Sequence, residues 1–447
     1  MPHARLKDWC DVEPGDRPAA FGRCCDMAEQ VQARLAPFVE LCRDGKSPAV
    51  GPIGGLPYAA KDMFTSPGRS PTWGLAAPVQ GLPVNQKAAV LERLDDAGAR
   101  CVGFTRMTAL AYEPSGVNPL QGTPKNPWNE EFATGASSSG SAVAVASGAA
   151  FVALGSDTAG SLRVPAQGCG LTSWKPTHGL VPDDGAMPLS PSMDAIGLLA
   201  RSARDIAVAA PALAPILDKE REAHRTTKVA VLDDCLAASH PAVRACCEEA
   251  VRAFDKLDFT LQEKAGLEII EDGGSEAMTV MQYEGAASHR ERLNDPAFDQ
   301  MLARRLGRGL EISDAVYSAS LARRQTVSAA FDEQILGTAE MIALPVMPIR
   351  TPPLSETDPA SPSFQPRTLY ALSAFTRFVN YLGLPAVTLP AGFDDHGMPV
   401  ALQMVGRAGS DMMLIATAAR LQNVTDWHGR LPAGLQDMQS SYGDLLI

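Results

Sequence analysis

The sequence predicts a single large α/β domain assembled around one sheet, on three observations. Apolar runs with strand character alternate with stretches of helical hydrophobic spacing. Strand signals recur near both ends of the chain, so distant segments are expected to share one sheet. No fixed-period repeat is visible, which argues against solenoid and propeller architectures. A chain of 447 residues, 45% hydrophobic and 20% charged, can bury a full core without disulfides or metals.

Residues 26–43 place Val31, Leu35, Val39 and Cys42 at helical spacing, and Lys87–Ala99 does so with Val90, Leu91 and Leu94 before Gly98. Leu56–Ala60 and Arg100–Phe104 read as buried strands. Ala142–Ala150 reads as a helix of small residues, followed by a strand at Phe151–Leu154. Lys228–Leu232 is another buried strand, with a helix at Ala242–Leu257 after it. The more polar stretch 276–336 is expected to be a helical cover, and the proline-rich stretch Pro345–Pro366 an extended loop. Leu384–Pro390 and Val400–Gly406 return to strand character.

The formal net charge of −12 argues against a nucleic-acid partner and against docking on an anionic membrane. The N-terminus lacks a hydrophobic signal core, and the longest apolar run, Ala142 to Gly155, is too short to span a bilayer. A cytoplasmic location follows as an expectation. The 9 cysteines include no C-x-x-C, and the 7 histidines show no metal-binding spacing. Reduced, mostly buried thiols are expected, and nothing in the pattern calls for a metal or an organic cofactor.

Three segments carry chemistry: Gly54-Gly-Leu-Pro-Tyr-Ala-Ala-Lys-Asp62, Gly135-Ala-Ser-Ser-Ser-Gly-Ser141 and Gly155-Ser-Asp-Thr-Ala-Gly-Ser-Leu-Arg163. A hydroxyl nucleophile needs a neighbour to take its proton and N–H groups aimed at the oxygen that becomes negative. Ser161 ends a tight turn whose successive N–H groups can converge on one point. Lysine is protonated at neutral pH in water, but burial beside residues such as Leu56 and Met63 favours its neutral, basic form. Read singly, each segment has a plainer meaning: a strand-to-loop turn, N-cap serines before a small-residue helix, and a paired surface charge. Read together they describe a serine hydrolase that works without histidine. Asp157 and Arg163 flank the turn and are expected to fix it as a buried ion pair.

The same segments closely resemble the amidase signature family. The resemblance covers the Gly/Ser-rich span from Gly135 to Gly179, ending in Lys175-Pro-Thr-x-Gly179, and the block at 55–62. It continues through Ser192-Met-Asp194, Leu344-Pro345-x-x-Pro348, Gly383-Leu-Pro-Ala-Val387 and Gly397 to Gly406. It implies a mixed central sheet with helices on both faces, with residues 50–200 as its signature core. It also implies a Ser–Ser–Lys triad. Ser161 falls at the nucleophile and Lys61 at the general base. Ser137 falls at the bridging serine, which the family holds through a cis peptide bond. Ser138 would support the hydrogen-bond network, and the N–H groups of Thr158, Ala159, Gly160 and Ser161 would form the oxyanion hole. The family usually has glycine where this chain has Ala159, so the turn must either use an ordinary conformation there or be displaced.

Hydrolysis of an amide is the expected reaction, with carbamates and esters as chemically related substrates. Trp73, Met107, Tyr112, Met187 and Met193 lie in the segments expected to line the pocket and favour a neutral, hydrophobic or aryl group. A small-molecule substrate and a monomer or homodimer are the expectation. One alternative is an amidase-like subunit whose function a partner completes. Another is an α/β-hydrolase with Ser138 as nucleophile, which needs a strand before Ala136 and a late histidine, His396 or His428.

Overall fold

Strands of alanine, valine and leucine that keep their charges for the last position build the centre of the protein. The computed structural model describes residues 8–43, 51–83, 85–219, 228–293 and 300–435. Among these, eleven strands join in one sheet. In chain order they are β1 (Phe38–Leu41), β2 (Pro57–Lys61), β3 (Arg100–Thr105), β4 (Val152–Asp157), β5 (Thr172–Lys175) and β6 (Ala195–Ala200). Then follow β7 (Lys228–Leu232), β8 (Thr260–Lys264), β9 (Met341–Pro345), β10 (Ala386–Phe393) and β11 (Pro399–Gly406). Their spatial order is β1-β3-β2-β4-β6-β5-β10-β11-β9-β7-β8. The pairs β2–β3, β2–β4, β7–β8 and β7–β9 are parallel, and the others are antiparallel.

The alternation of side chains along a strand divides the core between two faces. Tyr58 and Ala60 of β2, with Val152 and Leu154 of β4, belong to one apolar cluster, while Ala59 and Ala153 belong to another. Helices Ala89–Asp96, Ala203–Leu213 and Asp411–Asn423 cover the first face. Helices Arg17–Leu35 and Ser139–Ala146 cover the second. The protein is one domain with a large mixed sheet between helical layers. Because β2, β4 and β5 are buried throughout and end in Lys61, Asp157 and Lys175, three charged groups are carried into the interior at strand ends.

Several boundaries differ from those expected. The helical spacing over 26–43 runs across two elements, because the helix Arg17–Leu35 ends at a left-handed Ala36 (φ 51) and Pro37 precedes β1. Strands β5 and β6 were not expected, and neither were β8 and β9. The residues of β8, Thr260–Lys264, are partly exposed and show little apolar contrast. The helical cover comprises Leu267–Ser288, Gln300–Gly307 and Asp314–Ala330; residues 294–299 lie outside the described residues. The proline-rich stretch is irregular apart from a short helix at Leu354–Thr357.

The small-residue helix Ser139–Ala146 starts at the serines and lies against backbone. A Cβ on Gly140 would stand 2.5 Å from the carbonyl oxygens of both Arg106 and Pro37. Overpacking of this kind costs about 1–3 kcal/mol. Gly22, in the helix Arg17–Leu35, has nothing within 4 Å of the same position. Urea unfolding is therefore expected to show Gly140→Ala destabilised by about 2 kcal/mol, and Gly22→Ala unchanged or stabilised by up to about 1 kcal/mol.

Candidate active site

Parallel pairing of β2 with β4 sets their carboxyl ends side by side, with Ala60 opposite Leu154. Lys61 therefore reaches the Ser156–Asp157 end of β4, and the serine-rich loop closes over it. Its Nζ lies 2.7 Å from Ser137 Oγ, 2.8 Å from Ser156 Oγ and 3.2 Å from Ser138 Oγ. Lys61 is fully buried. Burial pushes its amine down to about 7, against the opposing pull of the Asp194 and Asp157 charges. None of the ion pairs among the described residues involves it.

Asp157 organises the turn that follows β4. Its carboxylate accepts from Gly160 N at 2.7 Å, Leu162 N at 3.1 Å and the Arg163 guanidinium at 2.9 and 3.1 Å. Burial alone would raise its carboxyl, but the Arg163 charge and these hydrogen bonds outweigh burial and hold it at about 2. Arg163, also fully buried, donates further to Gln403 Oε1, Asn380 Oδ1 and the Thr376 carbonyl. Asn380 Nδ2 returns a bond to the Asp157 carbonyl at 2.6 Å. The pair thus ties the turn to β11 and to the segment around 376–380.

The expected oxyanion donors need one correction. The Gly160 N–H is already taken by Asp157. The N–H groups of Thr158, Ala159 and Ser161 have no partner among the described residues. Ala159 keeps an ordinary negative φ, and the positive φ of the turn falls on Gly160 (φ 126). A Cβ there would meet Thr376 Oγ1 at 2.3 Å, and that hydroxyl donates to the Ala159 carbonyl at 2.6 Å.

Ser161 Oγ accepts from the backbone N–H of Ser137 at 3.4 Å, and no hydrogen bond joins the two hydroxyls. The cis peptide implied for Ser137 is absent, since every described peptide bond is trans. The chain instead enters Ser137 through Gly135 (φ 84) and a left-handed Ala136 (φ 48). Ser138 is fully buried; its hydroxyl donates to the Ser156 carbonyl and lies far from the exposed His396. That arrangement removes the support for Ser138 as an α/β-hydrolase nucleophile.

Ser161 lines a cleft of about 710 Å³ including its open mouth. Of the five residues expected in the pocket, Tyr112 lines it. Trp73, Met107, Met187 and Met193 pack into the apolar core instead. The sequence reading missed Glu113, Arg305, Arg308 and Tyr370 in the wall, and Ser156 beside Lys61. Ser156 stands in the recognised motif, but lone charges on helix faces carry no mark of where they point. Met278, Met281, Gln282, Arg305 and Arg308 come from the 276–336 cover. Among the described residues no group of three His, Cys, Asp or Glu side chains is arranged to hold a metal, and no helix is long and apolar enough to cross a membrane.

Sheet order and serine-rich turns point to one family of enzymes acting on carbon–nitrogen bonds. The family model "Amidase" matches residues 24–415, and the chain belongs to the amidase family. It is 31% identical to a glutamyl-tRNA(Gln) amidotransferase subunit of Thiobacillus denitrificans, covering 87% of each chain. With the corresponding protein of Nitrosococcus oceani it is 29% identical over 90% of this chain and 89% of the other. A solved amidase superposes with a TM-score of 0.80 at 29% identity, covering 91% of this chain and 96% of that one. A bacterial aryl acylamidase shares the fold at TM-score 0.81 and 20% identity, over 96% and 99% of the two chains.

The turn's dependence on one buried pair has a measurable consequence. Arg163→Met leaves the Asp157 carboxylate buried and unpaired, which costs about 3–5 kcal/mol. Thermal and urea unfolding are expected to show a loss of that size, whereas an unchanged midpoint would mean that the pair does not hold the turn.

Proposed function

We propose that this chain is a serine amidohydrolase in which Ser161 attacks the carbonyl carbon of a small amide and neutral Lys61 moves the proton through Ser137. The observation that carries this reading is a fully buried lysine held by three serine hydroxyls and paired with no carboxylate. A neutral amine offers a lone pair as well as two N–H donors. The Ser138 hydroxyl proton is spent on the Ser156 carbonyl, so Ser138 accepts from Lys61. Ser137 Oγ, with no other acceptor, is free to donate into the lone pair.

The chemistry follows from that direction. As Ser161 Oγ bonds to the carbonyl carbon, its proton passes to Ser137 Oγ and the Ser137 proton passes to Lys61. Approach of Ser161 Oγ to Ser137 Oγ accompanies substrate binding, as catalytic contacts commonly tighten in the complex. The carbonyl oxygen, now negative, faces the unpartnered N–H groups of the 158–161 turn. Lys61, now an ammonium, returns a proton through Ser137 to the leaving nitrogen, and the C–N bond breaks. Water then repeats the sequence on the acyl-Ser161 ester. Carbamates and esters present the same carbonyl and belong in the same substrate class.

The relatives favour a second reading. Their names describe one subunit of an amidotransferase, in which the nitrogen released at Ser161 would pass to an acceptor held by a partner. The net charge of −12 then assigns RNA contact to the partner and not to this chain. A panel of primary amides including L-glutamine, anilides, carbamates and nitrophenyl esters, assayed with the purified chain alone, separates the two. Turnover without a partner supports the hydrolase; turnover that needs one supports the amidotransferase.

On any substrate that turns over, Ser161→Ala is expected to leave the melting temperature unchanged and remove at least about 10³-fold of kcat. A fluorophosphonate should label Ser161, and mass mapping of the label to Ser137 or Ser138 would overturn the assignment. The pH dependence has a definite sign. Only deprotonated Lys61 accepts a proton, so kcat/KM should fall about tenfold per unit below the lysine value of about 7 and level off above it. Lys61→Arg should not restore activity at any pH, because a guanidinium stays protonated.

A further inference from the structure

The catalytic cleft shares one wall with a second cavity. Glu113 and Arg305 line both, and their side chains form an ion pair between them. The Glu113 side of the wall is anchored. Its Oε1 accepts from Ser115 N at 3.3 Å, and the next residue, Pro114, accepts from Ala136 N at 2.7 Å, directly before Ser137. Arg305 enters from the helix Gln300–Gly307 and lies over the Tyr112 ring at 5.4 Å. Both side chains are mostly buried, at 21% and 13% exposed for Arg305 and Glu113.

Beyond the pair the second cavity is apolar, lined by residues such as Ala109, Val117, Leu120, Leu302 and Pro359. Its one other charged group, Asp358, accepts from Ala360 N in its own turn. It measures about 690 Å³ including its mouth. Nothing in the proton relay uses this space. A hydrocarbon chain gains by entering such a cavity, but not by lying against a charged pair that it partly desolvates.

We propose that the Glu113–Arg305 ion pair is the specificity-determining wall of this enzyme. It closes the catalytic cleft against an apolar subsite and so limits the length of the substrate's apolar substituent. This rests on the reading that Ser161 is the reacting group. With the pair in place, substituents that end inside the first cleft are accepted. With the pair removed, the two cavities join and the apolar end of a longer chain reaches the second.

The test is a binding series on the full chain carrying Ser161→Ala, which needs no turnover. Straight-chain amides from butanamide to decanamide probe the acyl side, and N-alkylacetamides of the same lengths probe the amine side, both by calorimetry. In at least one series, affinity should rise about fourfold per methylene and then stop growing at a defined length. Adding Glu113→Ala with Arg305→Ala should remove that break and strengthen binding at least tenfold for chains three methylenes past it. If the double alanine does not fold, Glu113→Gln with Arg305→Ala removes both charges and keeps the acceptor for Ser115. Affinity that grows without a break, a break that the variants leave in place, or no binding in either series would each overturn the proposal. A chain inert toward every amide would sink the hydrolase reading and leave this result intact.

Discussion

Lys61 sits in the interior without a carboxylate to neutralise it, and much of the site follows from that one constraint. Burying an isolated ammonium costs several kcal/mol even after the surroundings relax. The folded protein avoids the cost by favouring the neutral amine, which burial brings to about 7. Three hydroxyls satisfy the amine without supplying a negative charge. A carboxylate in place of any one of them would stabilise the ammonium and abolish its basicity. The serine-rich loop and the Ser156 end of β4 are therefore as much electrostatic devices as steric ones: they solvate an amine and leave it uncharged.

A few residues away the opposite solution is used. Asp157 and Arg163 are both fully buried and both charged, and every polar atom on their facing sides is matched. That pair spends the Gly160 N–H on structure and leaves the N–H groups of Thr158, Ala159 and Ser161 free. The same short segment thus holds a saturated group that fixes geometry and an unsaturated one that faces the cleft. Close packing of Thr376 against Gly160 completes the constraint from the far side of the sheet. Residues more than two hundred positions apart meet here because β10 and β11 pair into the sheet next to β5.

How legible this was depended on the range over which each signal acts. Lys228–Leu232 was readable to the residue because a fully apolar run flanked by polar chain has one interpretation. Strands β5 and β6 fall inside the recognised motifs, but the motifs name residues and not backbone conformation. The helix expected over 26–43 failed at Pro37, a local signal that periodicity alone overrode. Lys61, Ser137 and Ser161 were singled out from their motifs, and the structure brings Lys61 to Ser137 and Ser137 to Ser161 through different atoms of Ser137. The pocket was the least legible part. Trp73, Met107, Met187 and Met193 were weighed by hydrophobicity, which marks core and pocket alike, while Glu113 and Arg305 meet only through tertiary packing.

The central claim is that Lys61 is uncharged in the working range of the enzyme, and its side chain reports this directly. In protein labelled with ¹³C at lysine Cε, the Lys61 resonance can be assigned by its loss in Lys61→Met and followed with pH. Lys175, also buried and brought to about 7, is assigned in the same way and kept apart. A Lys61 midpoint close to 7 is predicted, with the neutral chemical shift at pH 8. A resonance that holds the ammonium shift up to pH 10 would contradict the account and require some other group to take the serine proton.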